Sequence, residues 1–253
     1  MSSAPHPAAA APQTGERPAS GGQPPLRRQY VNYIAYKVNP QWRFLPEAER
    51  RKGKAEFIEA VEAFKDSTQV IAYTLVGIRA EADLLLWRIS YELERFQEQS
   101  TRILQSGLGR HLDTRYSFLA TTRRSVYVDK HSHPGQENSR THIIPGRTKY
   151  LFIYPFWKTI EWYLLPMPER QKMMDVHIAI GHKYPDIKIN TSYSFGLDDQ
   201  EFVVAFEGDD PHAFMDLVME LREIQGRKYT LKDTPILTCL RKELPEALET
   251  LGG

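Results

Sequence analysis

The chain carries one six-residue pattern twice. Leu45-Pro46-Glu47-Ala48-Glu49-Arg50 returns as Leu165-Pro166-Met167-Pro168-Glu169-Arg170, an L-P-x-x-E-R repeated at a spacing of 165 − 45 = 120 residues. Recurrence at a long fixed offset predicts that one structural unit has been built twice. The flanks agree. A stretch of aromatic, strand-like composition precedes each copy, at residues 30–38 and 149–156. Each copy opens a predicted helix, with proline near its start and glutamate in its first turn. Apolar residues then recur at helical spacing: Phe57, Ile58 and Val61 after the first copy, Met173, Met174, His177 and Ile180 after the second.

A hairpin follows each helix, residues 69–79 with 83–89, and 187–195 with 201–207. The second is joined by Gly196-Leu197-Asp198-Asp199, where glycine supplies the positive φ that tight connections use. Second helices are predicted over 91–105 and 211–224, the latter capped by Asp209 or Asp210, and closing strands over 117–128 and 234–240. Each half therefore reads β-α-β-β-α-β, a ferredoxin-like unit, and the expected fold class is α+β, a dimeric α+β barrel made from two such halves. The divisions are a tail at 1–28, an N-terminal half at 29–128, a connecting loop at 129–148 and a C-terminal half at 149–253.

The tail holds six of the seventeen prolines with little apolar surface, and is expected to be disordered. Its prolines also interrupt any apolar segment a secretory leader would need. Later apolar runs such as Leu84-Leu85-Leu86-Trp87 are too short to span a bilayer, so a cytoplasmic protein is expected. Thirty-three basic and 32 acidic residues leave a net charge of +1, which gives no general footprint for nucleic acid. The single Cys239 excludes an intrachain disulfide and a cysteine-rich metal site.

Motifs exclude several chemistries. No H-E-x-x-H, G-x-S-x-G, Walker A or dinucleotide glycine pattern is present. His131-Ser132-His133 lacks an evident third ligand and reads as solvated loop. His177 differs, because it interrupts the apolar stripe of its helix and is expected to face inward. Preceding it, a strand of period two points Tyr150, Phe152, Tyr154, Phe156 and Lys158 to one side, with Pro155 expected to end the strand or mark an edge. Trp87, Trp157 and Trp162 are open between packing and electron transfer.

Taken together, Tyr154-Pro155-Phe156-Trp157-Lys158, Glu161-Trp162-Tyr163-Leu164-Leu165-Pro166, Glu169-Arg170, Met173-Met174, His177 and Gly196-Leu197-Asp198-Asp199 resemble the chlorite dismutase superfamily, whose members include haem-dependent chlorite dismutases and coproheme decarboxylases. The likeness extends from about Gln29 to Leu251. It implies that His177 is the proximal iron ligand, since neutral imidazole binds iron. It also implies that Tyr154 is the tyrosine that becomes a radical, with Lys158 beside it in the chemistry. Arg140, Lys158 and Thr234 match residues that contact porphyrin propionates, as an arginine fork, a mobile cation and a hydroxyl.

The activity implied is oxidative decarboxylation of iron-coproporphyrin III (coproheme) to haem b by hydrogen peroxide, within haem biosynthesis. The iron porphyrin would be both substrate and redox centre, in a homo-oligomer that family likeness makes a pentamer. Two departures bear on this. The segment from Lys158 to Trp162 is short, as in chlorite dismutases. Yet the distal position, where those enzymes have arginine, falls on Asn190 counting from His177 or Ile189 counting back from Gly196. Asn190 is a donor to bound peroxide and Ile189 only a shield. The alternatives are a chlorite dismutase, or another haem peroxidase-like member, and a non-enzymatic haem-binding protein.

Overall fold

The structure, a computed structural model, describes residues 27–127 and 142–252. In the first half, β1 (Tyr30–Val38), α1 (Glu47–Glu62), β2 (Thr68–Thr74), β3 (Leu84–Ser90), α2 (Glu94–Gln105) and β4 (Leu112–Thr121) follow the expected order. The second half repeats it with additions: β5 (Tyr150–Lys158), α3 (Ile160–Leu164), α4 (Met167–Gly181), β6 (Lys188–Tyr193), β7 (Phe202–Gly208), α5 (Pro211–Glu223), β8 (Thr230–Lys232), β9 (Leu237–Lys242) and α6 (Leu244–Glu249). Among the described residues no helix is long and apolar enough to cross a membrane.

The strands run β7-β6-β4-β1-β3-β2-β9-β5-β8, and β5 also pairs with β7, so that eight strands close into an antiparallel barrel with β8 hung on its outside. Closure leaves few free edges. The halves join at two seams, β2 with β9 over Ala72↔Lys242 to Thr74↔Leu240, and β4 with β6 at Thr121↔Tyr193.

Alternation sorts the strand residues. Val31, Tyr33 and Ala35 of β1, Leu85 and Trp87 of β3, Leu151 and Ile153 of β5, and Val203 and Ala205 of β7 fill the barrel interior as one cluster. The opposite faces meet helices. Ile34, Tyr36, Leu84 and Leu86 pack with Trp42, Phe57 and Ile103 of the first half, and Phe152 and Phe206 pack with Ile180, Phe214 and Leu217 of the second. Asp210, rather than Asp209, caps α5, accepting a hydrogen bond from the His212 N–H at 2.8 Å. Gly196 adopts the expected positive φ, +75°.

Two expectations need correction and a third needs narrowing. The fourth strand spans Leu112–Thr121 instead of 117–128, because it stays paired along the whole of β1, from Val38↔Leu112 to Tyr30↔Thr121. Its polar start, Asp113-Thr114-Arg115, hid it from the hydrophobic pattern. Pro155 does not end β5, although it does fall at a local edge. Pairing with β9 stops at Ile153↔Leu237 and pairing with β8 begins at Trp157↔Lys232, so the proline occupies the gap between two neighbours and costs no ladder bond there. The last strand begins at Leu237, beyond Pro235, instead of at residue 234.

The short α6 was not foreseen. Its Ala247 and Leu248, with Leu251, are buried in the first half's outer core beside Trp42 and Phe57, and Lys54 Nζ meets Glu249 Oε2 at 2.9 Å. The end of the chain thus closes over the half that begins it.

Candidate functional site

The repeat aligns Gly53, Lys54 and Phe57 of α1 with Met173, Met174 and His177 of α4. That difference decides where a cavity forms. In the first half Gly53 lets α1 lie against the chain after α2, where a Cβ on residue 53 would stand only 2.8 Å from the Leu108 backbone nitrogen. Phe57 and Trp42, both fully buried, then fill the space over the sheet. Methionine at 173 forbids the same approach in the second half, and His177 is shorter than the phenylalanine it replaces. A cavity of about 420 Å³ results between β5 and the pair α4 and α5.

Its walls follow from strand alternation. Phe152, Tyr154, Phe156 and Lys158 of β5 enter it from one side, and Met173, Met174 and His177 of α4 with Phe214, Met215, Val218 and Met219 of α5 enclose it. Four of the chain's six methionines lie here. Flexible, polarizable thioethers suit a broad flat ligand better than rigid branched side chains would.

Burial among these groups holds the His177 imidazole down to about 4, and the positive charge of Lys158 adds to the effect. The ring is therefore neutral near pH 7 and keeps a lone pair to give. Among the described residues it has no hydrogen-bond partner. Lys158 is lowered to about 8, first by burial and then by the charge of Arg227, with Glu201 opposing. Its ammonium sits 4.3 Å from the Trp162 ring centroid. The Tyr154 phenol is raised above its ordinary value, chiefly by burial and then by the charge of Asp233, with Arg222 and Arg227 pulling the other way. Tyr154 is thus a neutral O–H.

At the rim, Arg222 Nη2 and Arg227 Nη1 each donate to Asp233 Oδ2 at 3.0 Å. All three line the cavity with Lys158. Among the lining residues one carboxylate stands against three cations, so that even with Glu201 near Lys158 this end stays positive.

The structure brings Tyr154, Lys158 and His177 together, and separates them from three other expected residues. Asn190 does not reach the cavity: it pairs with Ala205, points into the barrel and donates to Glu207 Oε1 at 2.8 Å. A one-residue offset on a strand reverses the face. Ile189, paired with Phe206, is on the helix side, with its Cδ1 3.8 Å from where a Cβ on Gly181 would lie; it is exposed and outside the cavity lining. Thr234 is exposed and also outside the lining, where Thr230 and Thr238 supply the hydroxyls. Arg140, with His131 and His133, lies outside the described residues.

Sequence reasoning missed Arg222, Arg227 and Asp233. Their only signal was two basic residues and one acid flanking the turn after α5, which reads equally as solvated surface. Of the tryptophans, Trp87 stacks on Tyr33 in the barrel, Trp157 donates to the Asp199 carbonyl, and Trp162 alone is at the cavity wall.

Among the described residues no group of three or more His, Cys, Asp or Glu exists to hold a bare metal ion. A lone neutral imidazole on an apolar cavity suits instead a metal that brings its other ligands with it, in a flat macrocycle, and the positive rim suits carboxylates on that macrocycle's edge. A haem-type iron porphyrin with propionates fits this donor set.

The profile of the family described as chlorite dismutase matches residues 50–242. The coproheme decarboxylase of Mycolicibacterium smegmatis is 33% identical over 220 residues, covering 83% of this chain and 88% of that protein. A crystal structure of a chlorite dismutase variant from Candidatus Nitrospira defluvii superposes with a TM-score of 0.82, at 24% identity, over 89% of this chain and 96% of that one. The chlorite dismutase of that organism in complex with imidazole gives 0.81, at 24% identity, over 89% and 95%. At that identity the two structures speak for the fold.

Proposed function

This chain belongs to the chlorite dismutase family, and from that premise we propose that it converts iron-coproporphyrin III to haem b by oxidative decarboxylation with hydrogen peroxide. The observation that carries the reading is the convergence of Tyr154, neutral His177 and a cationic rim on one cavity. Similarity to the mycobacterial coproheme decarboxylase supports it.

When bound, the iron porphyrin supplies the redox chemistry with peroxide. His177 would hold the metal through a ring nitrogen. Lys158, Arg222 and Arg227 grip propionates, Lys158 as a point charge and the arginines as forks; Arg140 joins them on family likeness. The apolar walls exclude water from the reacting edge. Tyr154 would give up its phenolic hydrogen as a proton and an electron, the electron going to the peroxide-oxidised porphyrin, and would then regain a hydrogen from the β-carbon of a propionate. Each propionate, with one hydrogen peroxide and one proton, yields a vinyl group, carbon dioxide and two waters.

Chlorite decomposition on the same scaffold asks for a cation on the distal side. Neither position expected there from the sequence, Ile189 or Asn190, carries a cation, which favours the decarboxylase. The same reading makes the protein a cytoplasmic homopentamer, with exposed Ile160 and Leu164 of α3 as apolar contact surface. The test is to load the purified protein with ferric coproporphyrin III, add peroxide and follow porphyrin mass. Conversion to haem b supports the proposal. Persistence of the four-propionate species rejects it, in favour of a haem binder, or of a chlorite dismutase if chlorite releases oxygen.

A further inference from the structure

Asp233 has an unusual place for a carboxylate in a cavity proposed to receive an anion. It follows β8, and two arginines reach it, Arg222 from the last turn of α5 and Arg227 from the tight turn Gln225–Tyr229. Both use the same oxygen, Oδ2, at 3.0 Å. Its side chain is 16% exposed, against 42% for Arg222 and 33% for Arg227, so the acid lies beneath the guanidinium groups, not in front of them.

The geometry has a consequence for binding. Each guanidinium has five N–H donors and commits one to Asp233, leaving the others for a second acceptor. Arginines that stay mobile lose much rotamer freedom on gripping a ligand, whereas arginines already fixed lose little. We infer that Asp233 is a positioning residue that fixes Arg222 and Arg227 as a pair for gripping a ligand carboxylate, and so gives the cavity its preference for an anionic porphyrin over a neutral one. This rests on the reading of the cavity as a porphyrin site and adds to it the origin of carboxylate selectivity.

Net charge alone predicts the reverse. Asp233→Asn removes a negative charge from the rim, and simple attraction would then tighten binding of an anion. Positioning predicts weaker binding despite the more favourable charge, so the sign of the effect separates the two.

The experiment titrates metal-free coproporphyrin III, with four carboxylates, and its neutral tetramethyl ester into the 253-residue chain, following tryptophan fluorescence. Asp233→Asn is expected to weaken the acid by about tenfold and leave the ester unchanged, and Asp233→Glu to restore most of the loss. Equal or tighter binding of the acid by Asp233→Asn overturns the inference while leaving the porphyrin site in place. Equal weakening of acid and ester also overturns it, by showing a general loss of structure. Failure of the unaltered protein to bind either porphyrin overturns the site reading, and the inference with it.

Discussion

Phe57 and His177 hold the same place in the two halves of the molecule, one on each helix that follows an L-P-x-x-E-R turn. Phe57 is fully buried in a filled core, and His177 stands at the wall of a cavity. The duplication built two equivalent niches. Glycine at 53 closed one of them, and methionine at 173 kept the other open.

Close packing at Gly53 is therefore a stability feature of the half without the site. Gly53→Ala would set a Cβ 2.8 Å from the Leu108 nitrogen and 3.0 Å from the Trp42 ring. The expected cost is about 1–3 kcal/mol, seen as a lower Tm, with porphyrin binding retained.

The neutral state of His177 gives the fold a pH dependence. Its imidazole is held at about 4, below the ordinary 6.5, so the unfolded chain takes up the proton first as pH falls. The contribution is complete above 6.5 and is lost progressively down to about 4, by at most roughly 3 kcal/mol. Denaturant melts of the unliganded protein between these limits should show the slope, and His177→Phe should flatten it.

Lys158 titrates in the opposite functional sense. Held at about 8, it carries its charge at pH 7 and loses it as pH rises through that value, so affinity for an anionic porphyrin should decline there. Lys158→Met should bind more weakly at pH 7 and lose that decline, whereas Lys158→Arg should stay charged throughout. A fluorescence titration at several pH values reads this directly.

Tyr154→Phe should keep porphyrin binding, because the ring and its neighbours Phe206 and Phe152 remain, and should abolish haem b formation. Porphyrin mass after peroxide is the readout. A normal rate in this variant would remove the radical role proposed for Tyr154.

Much of the architecture was legible because it rests on repetition. The duplicated turn, the aromatic strands and Gly196 fixed the order of elements, and the period of β5 placed Tyr154 and Lys158 on one side even through Pro155. What could not be read depended on pairing between distant strands. The start of β4 is polar and follows only from its register with β1. The face of Asn190 turns on a single residue of register against β7. The arginine pair depends on a turn that brings Arg222, Arg227 and Asp233 to one point, and such a meeting has no periodicity to announce it.

The most direct measurement is an absorbance titration of ferric coproporphyrin III into the unaltered protein and into His177→Ala. A shifted Soret band at one equivalent is expected for the first, its loss in the second, and its recovery when free imidazole is added to the variant. An identical band in both proteins would contradict ligation by His177, and with it the account of the cavity.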